Sequence, residues 1–363
     1  MGKSRAKSHE LRVRPFVRGL FLLVSFYSLL VTSVFADELS ARAAVVIDSA
    51  SERILYAKNP NLKLPPASTT KLVTAITVLE SINPDAVATV SENAAGTPSV
   101  TPRLRAGEKY TVRDLLHLAL MRSVNSAAVA LAEAVAGTED AFVSMMNDRA
   151  MRMGAENARF INSSGLPGPG QHITAFDLAK IMKESLKYPL IREIINTRAK
   201  EVFSVNGRRV FVKNTNQLLW TDDDLYGGKT GYTRAAGHCF VCAAKKGNNT
   251  LIAAVLGESV RDNLWDDSVM LLSKGYDILE QKAEPAIYFT SVSERPVVLA
   301  SYNKHKVAGH KKVKAHKYGK VKKVAAKNKK KNGSHANIAG KKKAKRSSGK
   351  NLSVRKQEST DRS

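Results

Sequence analysis

The sequence Pro65-Pro66-Ala67-Ser68-Thr69-Thr70-Lys71 stands directly before an apolar run, Leu72 to Leu79, which predicts a buried helix. Ser68 and Lys71 are three positions apart, so on a helix their side chains lie on one face, one turn from each other. The unpaired N–H groups and the dipole of a first helical turn favour a developing negative charge beside Ser68. A lysine can accept the proton of a serine hydroxyl only when it is uncharged, which requires burial or a nearby cation. The stretch therefore predicts a serine nucleophile with a lysine base.

Two further motifs decide whether this pair is an active site, because the Ser-x-x-Lys spacing alone is typical of solvated pairs on helices. They are Ser123-Val124-Asn125 and Lys229-Thr230-Gly231. Taken singly, the first is typical of a helix cap and the second of a strand that ends in a glycine turn. Three independent motifs in one chain favour a shared active site instead.

The positive charge of the chain is concentrated in two segments. The net charge is +26 over 363 residues. The segment from Tyr302 to Ser363 has 22 Lys and Arg against two acids, and the first 18 residues have six against one. The 30 basic and 29 acidic residues between Gly19 and Ser301 almost cancel. The charge therefore does not predict a nucleic-acid-binding globular domain.

The N-terminus predicts export from the cytoplasm. A basic segment is followed by an apolar region from Leu20 to Phe35, and Val34-Phe35-Ala36 fits a signal-peptidase site before Asp37. We interpret residues 1–36 as a cleaved signal peptide, with an uncleaved N-terminal anchor as the alternative. The expected location is the periplasm or envelope of a bacterium, where the protein could also associate with the membrane. Nucleic acid is not an expected partner there.

The two cysteines, Cys239 and Cys242, have the C-x-x-C spacing of some redox and zinc sites. They lie in a strand-like run from His238 to Ala244, where positions three apart point to opposite faces. The sequence offers no second ligand pair. We interpret both as structural strand residues and expect no metal site.

The order of elements predicts an α+β fold. A strand pair, Ala43–Asp48 and Ile54–Ala57, comes first, then a mainly helical stretch at about 85–200, then several strands and a last helix from Arg261. Thr111 with Asp114, and Thr174 with Asp177, have the spacing of capped helix starts. This order fits an antiparallel sheet flanked by helices, with an all-helical subdomain.

Two segments of the second half have clear local signals. Val202–Val205, Asn206-Gly207 and Arg208–Val212 predict a hairpin. Residues 285–301 read as a short extended segment. Residues 302–363 form a Lys-rich tail with too few large apolar residues to bury, so the sequence predicts disorder there.

Together, the three motifs resemble the S-x-x-K, S-x-N and K-T-G set of penicillin-binding proteins and serine β-lactamases. Finer features resemble the low-molecular-mass D-alanyl-D-alanine carboxypeptidases, the peptidase S11 family. These are Pro66–Lys71, Asn162-Ser163-Ser164-Gly165-Leu166, Thr174-Ala175 with Asp177-Leu178-Ala179, and Gly228–Thr233. The resemblance covers roughly Ala41 to Glu280. It implies a DD-peptidase/β-lactamase-like catalytic domain at 37–284, with a five-stranded antiparallel sheet.

The resemblance also implies roles for the catalytic residues. Ser68 would attack the penultimate D-Ala carbonyl of a peptidoglycan stem peptide and become acylated. Lys71 would take the Ser68 proton and later help to activate water. Ser123 would relay a proton to the leaving D-Ala, and Asn125 would orient Lys71 and bind the substrate amide. β-Lactam antibiotics would acylate Ser68, and no cofactor is implied.

Substrate binding would fall to the third motif. By the same resemblance, Lys229 would lower the pKa of Lys71 and attract the substrate carboxylate, which Thr230 would bind. Gly231 would let the strand and the substrate lie close, and the backbone N–H of Tyr232, with that of Ser68, would form the oxyanion hole. The family often has an assisting arginine near the last helix, for which Arg261 is the nearest candidate.

The chain also departs from the family pattern. Gly228 stands where the family usually has an apolar residue. The family's C-terminal β-domain and amphipathic anchor helix are not recognisable, and the basic tail stands in their place.

Two other functions stay open at the level of sequence. A class A β-lactamase needs a glutamate that activates the deacylating water, typically in an E-x-x-L-N motif. The sequence between the second and third motifs contains no such motif, and Glu156, Glu184 and Glu193 lack its context. A non-catalytic protein could instead bind wall polymers or an anionic membrane through the tail. Labelling by penicillin, and its loss in Ser68→Ala, separates the enzymes from the binding protein.

Overall fold

The computed structural model describes Gly2 and residues 39–290. The predicted signal peptide, the basic tail and most of the predicted extended segment therefore lie outside the described residues. Within the described part, no helix combines the length and the apolar character needed to cross a bilayer.

The central element is a six-stranded sheet. Its strands are β1 (Ala43–Asp48), β2 (Ile54–Lys58), β7 (Leu225–Thr233), β8 (Gly237–Lys246), β9 (Asn249–Glu258) and β10 (Ala286–Tyr288). The order across the sheet is β10-β2-β1-β9-β8-β7. Five strands, β1, β2, β7, β8 and β9, pair antiparallel with their neighbours among the five, as the sequence predicts. The short β10 adds a sixth strand, parallel to β2, which the sequence does not predict.

Two smaller strand pairs flank the helices. They are β3 (Val87–Thr89) with β4 (Lys109–Thr111), and β5 (Ala199–Phe203) with β6 (Arg209–Lys213). The second pair confirms the hairpin predicted around Asn206-Gly207. Inward residues of this hairpin, such as Val202 and Val212, are fully buried, and the outward positions are exposed.

The helices cover both faces of the sheet. They are α1 (Lys71–Ser81), α2 (Glu92–Gly96), α3 (Val112–Met121), α4 (Asn125–Ala136), α5 (Glu139–Arg152), α6 (Ala175–Ser185), α7 (Pro189–Asn196) and α8 (Arg261–Leu279). Helix α8 packs on one face, in a core with Phe240 and Val255. The other core joins the opposite face to the remaining helices, and α1 is buried over almost its whole length. The Thr111 and Thr174 side chains accept hydrogen bonds from the N–H groups of Asp114 and Asp177, so both predicted caps are confirmed.

The two cysteines have the structural role that their strand position predicts. Cys239 and Cys242 are free thiols in β8, and each is fully buried. Cys239 belongs to the core beneath the helices and Cys242 to the core beneath α8, so the two side chains lie on opposite faces. Burial raises the pKa of the Cys239 thiol to about 12.

Gly228 in β7 is required by the packing of its neighbour in the sheet. A Cβ at this position would lie 2.5 Å from the carbonyl oxygen of Val241 and 2.8 Å from the ring of Phe240. That ring packs edge-on against Trp265, with ring centroids 5.2 Å apart. Phe240 thus fills the space that an apolar residue at position 228 would need.

Candidate active site

Ser68 lies in a single 3₁₀ turn, Ala67–Thr70, that runs directly into α1. The sequence predicts the first turn of the helix here, and the structure replaces it with this tighter turn. Two side chains hold it: the Thr69 hydroxyl donates to the Pro66 carbonyl at 2.7 Å, and the Thr70 hydroxyl donates to the Ala67 carbonyl at 2.9 Å. Ala67 has a φ of +48°, a costly backbone conformation for alanine. The turn therefore presents Ser68 at the end of a rigid buried helix.

The Lys71 amine lies at the centre of the site and is fully buried. Its Nζ is 2.9 Å from the Ser68 hydroxyl oxygen, 2.6 Å from Asn125 Oδ1 and 2.6 Å from the Ser164 carbonyl oxygen. A neutral amine has two hydrogens and one lone pair. It can donate to the two carbonyl-type oxygens and accept the Ser68 proton with its lone pair.

The protonation state of Lys71 fits this arrangement. Burial, and then the charge of Lys229, lower the pKa of the Lys71 amine well below its ordinary value. Desolvation disfavours the ammonium form because its charge loses water without gaining a carboxylate partner. The geometry and the direction of the pKa shift together describe a general base beside a hydroxyl.

Lys229 is the second buried lysine, and it faces Ser123. Its Nζ donates to the Ser123 hydroxyl at 3.0 Å and to the Thr230 carbonyl at 2.8 Å. Burial lowers the pKa of Lys229 to about 7. Ser123 lies in the turn between α3 and α4, where its backbone has a left-handed φ of +66°.

Asn125, the first residue of α4, is held in one orientation. Its Nδ2 donates to the Pro98 carbonyl at 2.7 Å, and its backbone N–H donates to the Ser99 hydroxyl at 2.8 Å. Because the amide nitrogen is committed to a carbonyl, the amide oxygen must face Lys71. The loop between α2 and β4 thus fixes the amide against the Lys71 amine.

The Ser164 carbonyl is a site group that sequence reasoning missed. Asn162 builds its turn, since Asn162 Oδ1 accepts from the N–H groups of Gly165 at 2.7 Å and Leu166 at 3.1 Å. Gly165 has a φ of +80°, and a Cβ there would lie 1.8 Å from the Ala67 carbonyl oxygen. The Asn162-Ser163-Ser164-Gly165 sequence predicts a turn, but it does not indicate that one of its carbonyl groups accepts a hydrogen bond from a lysine.

Strand β7 lies directly against the Ser68 turn. A Cβ on Gly231 would lie 2.9 Å from the Ser68 backbone nitrogen. Only glycine allows this approach without displacing the turn. Thr230, the preceding residue, has its hydroxyl 2.5 Å from that of Thr215, a contact that the sequence did not predict.

These groups border a cleft of about 350 Å³. Its lining includes Ser68, Ser123, Asn125, Thr215, Thr230, Gly231, Tyr232, His238, Arg261 and Trp265. Lys71 and Lys229 lie buried behind it. All of the catalytic and binding residues that the sequence singles out thus meet in one place, with Arg261 at the start of α8 beside them.

The cleft has a cationic character. Its charged lining residues are Arg122 and Arg261, and no carboxylate lines it within the part of the chain that the structure describes. Within residues 39–290 no cluster of His, Cys, Asp and Glu could hold a metal ion. The arrangement can bind an anion and carry out nucleophilic chemistry with a serine.

Comparisons with known proteins identify relatives of this chain. The family model described as D-alanyl-D-alanine carboxypeptidase, peptidase S11, matches residues 30–260. The chain is 37% identical over 234 residues to the carboxypeptidase DacF of Bacillus subtilis, a match that covers 63% of this chain and 59% of that relative. It is 37% identical over 216 residues to a D-alanyl-D-alanine endopeptidase of Pseudomonas aeruginosa, covering 56% of this chain and 67% of the relative. A solved D-alanyl-D-alanine carboxypeptidase from Mycobacterium tuberculosis superposes with a TM-score of 0.63 at 30% identity, covering 68% of this chain and 94% of that one.

Replacing Gly165 by alanine should destabilise the fold strongly. The new Cβ would overlap the Ala67 carbonyl oxygen, so either the Ser164 turn or the Ser68 turn must move. Gly207→Ala is the matched control, because Gly207 has a φ of +83° but nothing within 4 Å of a Cβ. We expect the control to lose about 1 kcal/mol of unfolding free energy and Gly165→Ala at least about 2 kcal/mol more. If urea denaturation shows that the two variants lose the same unfolding free energy, the clash with the Ala67 carbonyl is contradicted.

The buried Lys229 should make stability depend on pH. Its amine releases a proton near pH 7 in the folded chain, and at about pH 10.4 in the unfolded chain. Between these values the unfolded state binds more protons, so raising the pH favours folding. Relative to Lys229→Met, the unmodified chain should gain up to about 1.4 kcal/mol per pH unit between about pH 7 and about pH 10. Urea denaturation at several pH values measures the difference. Lys63→Met, at an exposed position, is the control and should differ from the unmodified chain by the same unfolding free energy at every pH. If the difference for Lys229→Met is also independent of pH, the lowered pKa of Lys229 is wrong.

Proposed function

The chain belongs to the D-alanyl-D-alanine carboxypeptidase family, peptidase S11, and from this premise we propose a specific reaction. It is the removal of the terminal D-alanine from peptidoglycan stem pentapeptides through an acyl-enzyme on Ser68. One observation carries the proposal: the buried Lys71 nitrogen lies 2.9 Å from the Ser68 hydroxyl oxygen, and two further oxygens, of Asn125 and Ser164, can accept the two hydrogens of the neutral amine.

Acylation begins with proton transfer. Lys71 takes the Ser68 proton, and the hydroxyl oxygen attacks the carbonyl of the penultimate D-alanine. The backbone N–H groups of Ser68 and Tyr232 bind the oxyanion. This assignment is supported by Gly231, which brings β7 against the Ser68 nitrogen. Asn125 keeps the lysine in position and binds the substrate amide.

The leaving group receives its proton from the second half of the site. Ser123 relays a proton to the amine of the departing D-alanine, and Lys229 donates to the Ser123 hydroxyl at 3.0 Å. Because burial lowers the pKa of Lys229 to about 7, this amine can exchange protons near neutral pH. A substrate carboxylate nearby would stabilise its charged form.

The free carboxylate of the substrate is recognised by the cations and hydroxyls of the cleft. Thr230 offers its hydroxyl, Lys229 its charge and Arg261 its guanidinium. The lack of carboxylates in the cleft lining, within the described residues, supports an anionic substrate.

Hydrolysis of the acyl-enzyme completes the cycle. Lys71 first passes the proton that it took from Ser68 back to the Ser123 and Lys229 half of the site, and its neutral amine then activates a water molecule. A class A β-lactamase would use a glutamate for this step, and the cleft lining in the described part of the chain has none. The site is therefore suited to slow release of a penicilloyl group, so we propose that β-lactams act on this chain as acylating inhibitors.

The proposed reaction implies a location. Its substrate is part of the cell wall, and the N-terminal sequence predicts export, so we propose that the chain works in the periplasm or cell envelope. The Lys-rich segment from Tyr302 to Ser363 would bind an anionic lipid surface or wall polymer by charge.

Release of D-alanine from an acyl-L-Lys-D-Ala-D-Ala peptide tests the reaction. The exported form of the chain should release free D-alanine and become labelled by fluorescent penicillin. Ser68→Ala should lose both activities, by at least about a thousandfold. Ser144→Ala, on the exposed side of α5, should lose neither.

The outcomes of this assay separate the alternatives. Rapid loss of the penicillin label would indicate a β-lactamase, and cleavage of only cross-linked peptides would indicate an endopeptidase. If the chain is neither labelled by penicillin nor able to release D-alanine, the proposal is wrong and a non-catalytic binding protein is favoured.

The basic tail is tested by sedimentation with lipid vesicles. The full chain should bind phosphatidylglycerol vesicles at low salt, and rising NaCl should release it because exposed charges are screened. A chain that ends at Ser301 should bind far less, and phosphatidylcholine vesicles should bind neither form. Equal binding with and without residues 302–363 would contradict a role of the tail.

A further inference from the structure

A histidine lies in the cleft outside all three motifs. His238 is the second residue of β8 and pairs in register with Tyr232 of β7. The two rings stack, with centroids 4.4 Å apart and planes inclined by 30°. Both side chains line the cleft that contains Ser68.

The direction of the strand places this stacked pair beside α8. Side chains alternate along β7, and the Gly231 position faces the Ser68 turn. Tyr232, one residue on, and its register partner His238 therefore face the other side of the sheet. Arg261 and Trp265 of α8 cover that side and line the same cleft. The stack thus extends the cleft from the nucleophile towards Arg261.

The His238 ring is available to a ligand. It is only partly buried, and neither ring nitrogen has a hydrogen-bond partner among residues 39–290. Stacking against Tyr232 fixes the plane of the imidazole and would also favour its cationic form.

The charged groups that face His238 come from two elements. Arg261 of α8 is the cation, and Glu258, the register partner of His238 in β9, is the anion. Glu258 is fully buried, and its carboxylate already accepts from the Ser40 hydroxyl at 2.6 Å and the Val260 N–H at 2.8 Å. The uncharged tyrosine ring of β7 completes the surroundings.

These surroundings favour the neutral form of the free His238 ring. Burial, and then the charge of Arg261, lower the pKa of His238, and Glu258 opposes them. A bound anion would remove the repulsion from Arg261 and favour protonation. Proton uptake would then accompany anion binding.

We propose that His238 is a specificity-determining residue, which takes up a proton when a substrate carboxylate enters the cleft beside Arg261 and binds that carboxylate as an imidazolium. This role rests on the proposed function, because it concerns the free acid end of the same substrate. It makes the cleft select peptides that end in a carboxylate over peptides whose chain continues or is amidated. The selection becomes stronger as the pH falls through and below about 6.5, the ordinary pKa of a histidine.

The pH dependence of KM tests the proposal in the full chain. For acyl-L-Lys-D-Ala-D-Ala, KM should fall as the pH is lowered through and below about 6.5. In His238→Gln it should change less and be about threefold to tenfold higher at the acidic end. The shape of the kcat profile should stay the same, because Lys71 and Ser123 are unchanged. His172→Gln, which alters a loop histidine outside the cleft lining, is the matched control and should behave as the unmodified chain.

Calorimetry provides a readout that needs no turnover. Ser68→Ala should bind the free-acid peptide with uptake of a proton, seen as a heat difference between two buffers of unlike ionisation enthalpy. The uptake should be smaller in Ser68→Ala with His238→Gln, and smaller for the peptide amide. Circular dichroism of each variant checks that it is folded.

The outcomes separate this inference from the proposed function. If the chain releases D-alanine but KM has the same pH dependence in His238→Gln, the role of His238 is wrong and the proposed function stands. If the chain releases no D-alanine at any pH, the proposed function fails. Equal proton uptake with and without His238 would then overturn the inference independently.

Discussion

The hydrogen bonds around one buried amine hold the site together. Lys71 is fully buried, and its nitrogen contacts a serine hydroxyl, an asparagine amide and a backbone carbonyl that come from three different parts of the chain. A buried ammonium without a carboxylate partner is costly, so burial favours the neutral form of the amine. The burial that makes the ammonium form costly also lowers the pKa of the amine, so that it can accept a proton. A lysine in water would stay protonated. The turn at Ser164 and the start of α4 each supply an acceptor to this nitrogen.

The sequence singled out the reactive side chains that meet at the cleft more completely than the backbone geometry that holds them. Ser68, Lys71, Ser123 and Lys229 carry side chains whose types and spacing are rare in combination, and the capped starts at Thr111 and Thr174 follow from local hydrogen bonding. The Ser164 carbonyl escaped prediction because every residue has a carbonyl, and only the path of the chain gives this one a role. Thr215 and His238 escaped for a related reason, since their place in the cleft depends on which strand or helix lies opposite.

Two features of the sheet could not be predicted from short stretches of sequence. The parallel pairing of β10 with β2 joins residues more than two hundred positions apart, and a three-residue strand has no periodic signal. Gly228 looked like a departure from a family pattern, yet the ring of Phe240 occupies the space that a larger residue would need. A sequence shows such a compensation only when the register of two strands is already known. The 3₁₀ turn at Ser68 likewise depends on Gly165, which lies almost a hundred residues away.

The placement of the two cysteines has a practical consequence. Both thiols are enclosed on opposite faces of one strand, so they cannot bridge each other, and alkylating reagents or oxidants in solution cannot reach them without unfolding the sheet. They are also the whole cysteine content of the chain. A single cysteine introduced at the mouth of the cleft would therefore be the one reactive thiol of the native protein. A fluorophore attached there could report ligand entry in real time without any prior removal of the natural cysteines.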